Sequence, residues 1–334
     1  MTELVRIAEI LEARKRIEGI AVRTPLLPCP WADADRPLWI KAECLQNTGT
    51  FKIRGAVNAL ASLEPRERDA GVIAVSSGNH GRAVAYAAAR LGVDALIVIP
   101  HGSAENKVAA TRALGATIVR VPAEEREQAA RSLAAQTGRT LIHPFDDPRV
   151  IAGQGTIGAE IAEQARELGI EVDAILVPVG GGGLLCGIAV AANALMPGVA
   201  VHGVEPELAA DAHDSLRRGE RTTWPVSDTW RTVADALRST AVGELTWRHL
   251  RTLTASVLTV SETAILDAVR TLADSAHLVA EPGGAVGVAA YLTRLDQLPA
   301  GRGYVAVVSG GNVAMDAYSR ILTGWFSTGG AGGV

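Results

Sequence analysis

The sequence predicts an α/β protein built on parallel sheet, and three observations carry that expectation. Short β-branched runs alternate with Ala-rich helical segments through most of the 334 residues. Such alternation reads as βαβ units, because parallel neighbours need a helical crossover between them. Clusters of small residues fall where a strand gives way to a loop or helix, at 48–56, 76–81, 180–183 and 309–312. Finally, 48% of the residues are hydrophobic, too many for a disordered chain and ample for one large domain or two.

From the N-terminus, Thr2–Ile20 reads as a helix, and its Glu3, Glu9, Glu12 and Glu18 rule out a secretory apolar segment. Thr24-Pro25, Pro28 and Pro30 mark an irregular stretch, so the alternation starts only near residue 71. Strands are expected at Val72–Val75, Ala95–Ile99, Thr117–Val121 and Leu141–His143, with helices Arg82–Leu91, Asn106–Leu114 and Glu124–Gln136 between them. After a Gly-rich turn come helix Thr156–Leu168, strand Ala174–Val179, helix Leu184–Leu195 and strand Ala200–Val204. Gly219 to Gly243 is a second irregular stretch, holding Trp224 and Trp230 with Trp247 just beyond. Helices Glu262–Ala276 and Ala285–Leu295 and strand Tyr304–Val308 complete the pattern, and Ser327–Val334 reads as a Ser/Thr/Gly-rich mobile tail.

Composition closes several function classes. The 32 Lys and Arg against 36 Asp and Glu leave a net charge of −4, which argues against a nucleic-acid backbone binder. No apolar run approaches the ~18 residues needed to span a bilayer. Cys29, Cys44 and Cys186 lie far apart and supply neither a disulfide framework nor a zinc spacing. A cytoplasmic protein is expected. The 35 glycines are the unusual feature, and their placement carries the chemistry.

In open parallel sheets ligands bind beyond the carboxyl ends of strands, so the four small-residue clusters can converge. Gly180-Gly181-Gly182-Gly183 lies between a strand and a helix, where N–H groups without side chains can close around an anion. The spacing is neither G-x-G-x-x-G nor a P-loop, so a phosphate cup stands against a flexible turn. Ser76-Ser77-Gly78-Asn79-His80-Gly81 suits a carboxylate ligand, or an ordinary serine helix cap. Lys52, between Phe51 and Ile53 and near Arg54, has the apolar and cationic neighbours that favour a neutral amine, although most single lysines are merely solvated. Together with Ser309-Gly310-Gly311-Asn312, these are the parts of a pyridoxal-phosphate enzyme.

The chain resembles the threonine dehydratase and serine racemase family of fold-type-II pyridoxal-phosphate enzymes. The resemblance runs from Thr24 to Asn312. It rests on Thr50–Ala56, Ser76–Gly81, His143–Pro148 with Ile151–Ile157, Gly180–Leu184 and Ser309–Val313. It implies a tryptophan synthase β-like fold: two open twisted sheets with helices on both faces. A large cofactor domain would be formed by 1–70 and 148–326, a small domain by 71–147, and a tail by 327–334. By the same resemblance Lys52 links to the cofactor aldehyde and acts as base at the substrate α-carbon. Phe51 lies near the pyridine ring, Asn79 bonds the phenolic oxygen, and Gly180, Gly181, Gly182, Gly183 and Leu184 hold the phosphate. Ser76, Ser77, Gly78, Asn79 and His80 cup the substrate carboxylate, Ser309 faces the ring nitrogen, and Glu281 matches a position near the cofactor.

Within the family the discriminating residues disagree. Ser77 is racemase-like, because a hydroxyl opposite the lysine can protonate the α-carbon. Arg126 resembles an arginine that meets a second substrate carboxylate in racemases and hydroxyaspartate-eliminating members, or it belongs to a solvated charged helix. Phe145, in His143-Pro144-Phe145-Asp146-Asp147-Pro148, is dehydratase-like. The expected activity is loss of water and ammonia from a β-hydroxy amino acid of the L-threonine/L-serine type. A serine racemase, a 3-hydroxyaspartate dehydratase, a dehydratase for a bulkier substrate or a non-enzymatic binding protein are the alternatives. Glu205, the carbonyl of Ala209 and Asp211 match a family site for Mg²⁺ or Ca²⁺, or are surface acids. One departure is Ala234-Asp235-Ala236 where the family has Ala-Asp-Gly, since alanine does not take positive φ freely. Trp224, Trp230 and Trp247 are expected in homodimer contacts, or in an enlarged substrate wall. Too few residues follow Asn312 for an appended regulatory domain, so feedback control is not expected.

Overall fold

The computed structural model describes residues 3–301 and 303–324, so the expected tail at 327–334 lies outside the described residues. Ten strands form two sheets. β1 (Leu26–Pro28), β2 (Leu38–Ala42), β7 (Ala174–Pro178), β8 (Ala200–Pro206), β9 (Ser256–Val260) and β10 (Tyr304–Val308) build one in the order β1-β2-β10-β7-β8-β9. β3 (Val72–Val75), β4 (Ala95–Pro100), β5 (Thr117–Val121) and β6 (Thr140–Leu141) build the other in the order β5-β4-β3-β6. Every pair is parallel except β1 with β2. The expected α/β fold of two sheets is therefore present.

The helices are α1 (Ile7–Ile17), α2 (Lys52–Ala61), α3 (Pro65–Ala70), α4 (Asn79–Leu91), α5 (Glu105–Ala113), α6 (Arg126–Thr137) and α7 (Pro148–Leu168). They continue with α8 (Gly183–Leu195), α9 (Asp211–Arg218), α10 (Val226–Thr229), α11 (Glu244–Leu253), α12 (Glu262–Ser275), α13 (Pro282–Thr293) and α14 (Met315–Leu322). Central strands such as β7 and β10 are buried along their whole length, so they read as continuous apolar runs. Among the described residues no helix is long and apolar enough to cross a membrane.

Four expectations about local structure are corrected. The proline-marked stretch contains β1 and β2; Pro28 is tolerated because β1 is an edge strand, where the missing N–H breaks no ladder. β9 has no counterpart among the expected strands. α7 starts at Pro148, capped by the Asp147 carboxylate on the Arg149 N–H, rather than at Thr156. The glycines expected to form a turn there lie inside the helix and let it touch its neighbours. A Cβ on Gly153 would stand 2.6 Å from the Arg54 carbonyl oxygen and the Gly55 Cα, and one on Gly155 2.8 Å from the Gly187 carbonyl. Gly283 and Gly284 likewise fall in the first turn of α13, not in a loop before it.

Behind α2 lies a cluster of four buried charges. Arg54 donates to Glu43 from Nε and Nη2 at 2.8 Å and to Glu160 at 2.6 and 2.8 Å. Lys41 donates to Glu160 at 2.6 Å and to the carbonyl of Thr24 and the amide oxygen of Gln164. Lys41, Glu43 and Arg54 are wholly buried, and the charges balance, which is the condition for keeping ions away from water. Arg54 thus ties α2 to the Glu43–Leu45 turn and α7, and Lys41 ties β2 to the same Glu160.

The α2–α7 contact gives a prediction with an unusual sign. Alanine normally improves a helix interior over glycine by about 1 kcal/mol. Gly153→Ala is instead expected to destabilise by about 1–3 kcal/mol, because the atoms in the way are backbone. Urea unfolding of the variant reads the sign directly.

Candidate active site

Three of the four small-residue clusters, and Lys52, converge on the cleft between the sheets. Lys52 is the first residue of α2. The turn before it is tied to the end of β10: Thr50 bridges Gly310, and the Phe51 N–H donates to the Ser309 carbonyl at 3.0 Å. The lysine amine donates to the Pro144 carbonyl at 2.8 Å and lies 5.1 Å from the Phe51 ring centre. It has no carboxylate partner among the described residues. Desolvation without a counter-charge disfavours the ammonium, so the pKa is lowered to about 8. The expectation of an amine held close to neutrality thus has a physical basis here.

The Ser76–Gly81 segment follows β3 and opens α4. It is not a serine cap. α4 has no side-chain cap, and Ser76 Oγ accepts only the Gly78 N–H, at 3.1 Å. The N–H groups of Ser77, Asn79, His80 and Gly81 donate to no described acceptor, which leaves a helix N-terminus aimed at the cleft. His80 is buried with Nε2 on the Ile142 carbonyl at 2.9 Å. Burial and the nearby Lys52 charge push its pKa down to about 3, so it stays neutral.

Asn79 crosses the cleft. Its amide N–H donates to Glu281 at 2.8 Å and its oxygen accepts from Asn312 at 2.9 Å, while Asn312 also donates to the Thr48 carbonyl and accepts from Arg82. Sequence reasoning gives Asn312 and Arg82 no role of their own. Asn312 lies inside a cluster that the sequence singles out, so the signal is present there; Arg82 offers none.

The glycine run follows β7 and opens α8. Gly182 sits at φ +93°, and the N–H groups from Gly180 through Leu184 donate to no described acceptor. Five such donors at a helix N-terminus, with the helix dipole behind them, fit an anion. The side against Phe145 has no room for a side chain: a Cβ on Gly181 would stand 2.2 Å from the Phe145 ring. The segment 143–147 therefore touches both Lys52, through Pro144, and the glycine run, through Phe145. His143 receives the Asp146 N–H on Nδ1 at 2.9 Å, and burial lowers its pKa despite Asp146 and Glu127 nearby.

Arg126 opens α6. It is half-buried and pairs with no described residue, and its neighbour Glu127 acts on His143. Ala236 lies in a short 3₁₀ turn, Asp235–Leu237, and His277 is the only described non-glycine residue with positive φ; the alanine departure therefore brings no backbone strain. Of the tryptophans expected in dimer contacts, Trp247 is buried in the core and the Trp224 indole donates to Asp214 at 3.1 Å. Trp247 therefore has no face left for a partner, whereas Trp224 is half-buried and keeps part of its ring accessible. Trp230 is 56% exposed and stacks under Arg238.

Away from the cleft, Glu205 at the end of β8 accepts the N–H groups of Ala212 and His213 at 3.0 and 2.8 Å. Asp211 is buried beside it. Although the N–H groups of Asp211 and Val242 lie near, neither of its carboxylate oxygens makes a well-formed hydrogen bond. Burial, and then the mutual repulsion of the pair, push Glu205 well up; burial brings Asp211 to about 7. Among the described residues no three His, Cys, Asp or Glu side chains cluster as a metal-ligand set.

A lysine without a described carboxylate partner and two helix starts whose N–H groups have no described acceptor suit an aldehyde cofactor bearing an anionic group. The chain matches the family described as pyridoxal-phosphate dependent enzyme over residues 17–310, and it belongs to that family. It is 40% identical to the L-threo-3-hydroxyaspartate ammonia-lyase of Saccharomyces cerevisiae over 321 residues, covering 95% of this chain and 96% of that one. It is also 40% identical to the serine racemase of Arabidopsis thaliana, covering 86% of each. Among solved structures, a threonine deaminase from T.th. superposes with a TM-score of 0.87 at 45% identity, covering 93% of this chain and 99% of that one. These are fold-type-II pyridoxal-phosphate proteins, so the family and fold resemblance holds.

Only the neutral amine attacks an aldehyde. Capture of pyridoxal phosphate by the cofactor-free protein is therefore expected to speed up with pH and level off above about 8, the lowered lysine value. Stopped-flow absorbance reads the profile. A rise that continues to about pH 10, as for an ordinary lysine, contradicts it, and Lys52→Ala is expected to capture none.

Proposed function

We propose that the chain is an ammonia-lyase that removes water and ammonia from a β-hydroxy amino acid of the L-threonine/L-serine type, leaving a 2-oxo acid. The observation that carries the reading is Lys52, half-buried with no carboxylate partner among the described residues, next to Phe51, whose N–H is tied to Ser309. The bound cofactor supplies an aldehyde for covalent attachment and an electron sink for charge developing at the substrate α-carbon. Lys52, neutral near pH 8, takes the α-proton. Free N–H groups at the start of α4 bind and orient the α-carboxylate, with Ser76 to His80 forming its wall. Those of Gly180–Leu184 would hold the phosphate, Phe51 would lie beside the ring, and Asn79, clamped by Glu281 and Asn312, would address the phenolic oxygen. Ser309 gives the ring nitrogen a neutral hydroxyl where a carboxylate would hold a proton. Such a neutral partner at Ser309 would favour loss of a β-hydroxyl over transamination.

A second reading has its own observation. Arg126 is half-buried without a described partner on the helix whose first turn faces His143, as a second substrate carboxylate would require. Together with Ser77 it favours 3-hydroxyaspartate as substrate, or racemisation. An ammonia and 2-oxo acid assay over L-serine, L-threonine and L-threo-3-hydroxyaspartate tests both. Under the first reading Arg126→Ala changes kcat/KM for L-threonine by less than about threefold; under the second it lowers that for 3-hydroxyaspartate by about a hundredfold, the loss of a bidentate ion pair. Chiral analysis of recovered serine reads racemisation. No ammonia from any of the three refutes the lyase reading.

The donor chemistry of Glu205, Asp211 and the Ala209 carbonyl fits a hard divalent cation, because a buried carboxylate with unused oxygens gains what it lacks. We assign Mg²⁺ or Ca²⁺ there in a structural role. The raised pKa of Asp211 means it costs stability where it is ionised, so metal-free protein is expected to lose stability as pH rises through about 7. Ca²⁺ is expected to raise the melting temperature at about pH 8 and not at about pH 5.5, where Asp211 is protonated, and Asp211→Asn to abolish the shift. A homodimer is the assembly proposed, on exposed Trp230, Leu45, Val279 and Met315. A cytoplasmic setting is proposed on the three free thiols.

A further inference from the structure

We propose that Asp146 is a positioning residue for the phosphate cup, acting through α11 and Thr246. The inference rests on the reading that Gly180–Leu184 hold the cofactor phosphate. α11 has no cap of its own, because the residue at its start, Gly243, carries no side chain. Its first three N–H groups, those of Glu244, Leu245 and Thr246, donate instead to the Asp146 carboxylate at 3.1, 2.9 and 3.1 Å. Glycine at 243 is what admits that carboxylate: a Cβ there would stand 2.1 Å from Oδ1. A full negative charge thus sits at the positive end of the helix, supplied from a distant segment.

The third capped residue reaches the cup. Thr246 Oγ1 donates to the Gly181 carbonyl at 2.8 Å, and the Gly243 N–H reaches the same oxygen at 3.4 Å. In a trans peptide the carbonyl of one residue and the N–H of the next point in opposite directions. Drawing the Gly181 carbonyl toward α11 therefore turns the Gly182 N–H away from α11 and into the cup. Thr246 also packs on Gly182, where a Cβ would meet it at 2.9 Å. Phe145, next to Asp146, covers Gly181. One short segment joining β6 to α7 thus touches the cup twice, directly through Phe145 and through α11 by way of Asp146.

Titration of the cofactor-stripped full chain separates this role from a general one. Pyridoxal phosphate reports the lysine and the cup together; 5′-deoxypyridoxal keeps the aldehyde and lacks the phosphate. Asp146→Asn is expected to weaken pyridoxal phosphate binding about tenfold and to leave 5′-deoxypyridoxal within about twofold, the size of a lost charged cap. Thr246→Val is expected to reproduce that phosphate-specific loss, and the double variant to lose no more than the larger single effect. Asp146→Asn with an unchanged ratio of the two affinities overturns the proposal. Equal losses for both ligands overturn it too, because they report a structural defect. Should Asp146→Asn fail to fold, an unchanged ratio in Thr246→Val has the same force. A wild-type protein that binds both aldehydes equally refutes the phosphate reading instead.

Discussion

The site depends on how the first turn of α2 is held, and that turn is held by Arg54. All of its donors are taken by two carboxylates, a hydroxyl and a carbonyl from three other parts of the chain. Removing one member of such a cluster strands a buried charge, which typically costs about 3–5 kcal/mol. The cluster therefore leaves α2 little freedom to turn or slide. Two residues earlier on the same helix, Lys52 faces the cleft with no carboxylate partner among the described residues. The two cations differ because of their surroundings: Arg54 has counter-charges and keeps its charge in the interior, whereas Lys52 lacks them and gives up its charge easily.

The cleft is also where the two sheets meet, and directional polar bonds span it. Asn79 comes from the four-stranded side, while Glu281 and Asn312 come from the six-stranded side. Directional bonds fix which way the Asn79 amide points, which a hydrophobic contact would leave free. The segment 143–147 performs the same service for the glycine run. Asp146 anchors α11, Phe145 lies over Gly181, and Pro144 receives the lysine, so three chemically different groups are registered against one stretch of backbone.

Much of this was legible in the sequence where the signal is local. The strands β3, β4, β5, β7, β8 and β10 announce themselves as apolar runs, and a lysine before I-R-G-A or four glycines after a strand need no partner to be noticed. What escaped needed a partner from elsewhere in the chain. Gly153 reads as a turn because nothing nearby in sequence says that Gly55 approaches it. β1 is hidden by its proline, which only an edge position excuses. The cap of α11 is invisible because its carboxylate comes from Asp146, far earlier in the chain, while the residue in the capping position is a glycine. The same holds for Asp211, whose unsatisfied oxygens appear only once β8 places Glu205 beside it.

Neutrality is the common property of the groups closest to the reacting centre. His80 is kept neutral by burial, His143 is pushed the same way, Lys52 is brought near neutrality, and Ser309 carries no charge to begin with. Several fixed charges sit one layer out, paired or hydrogen-bonded: Arg54 with Glu43 and Glu160, Glu281 on Asn79, Asp146 on α11. Such an arrangement leaves the charges that a bound amino acid and cofactor bring with them as the strongest in the cleft. The chain meets those with backbone N–H groups at the starts of α4 and α8, which orient an anion without adding an ion that would reset the lysine. A carboxylate beside Lys52 would hold it as an ammonium and remove the base. The absence of such a group around Lys52 is therefore as much a requirement of the chemistry as the lysine itself.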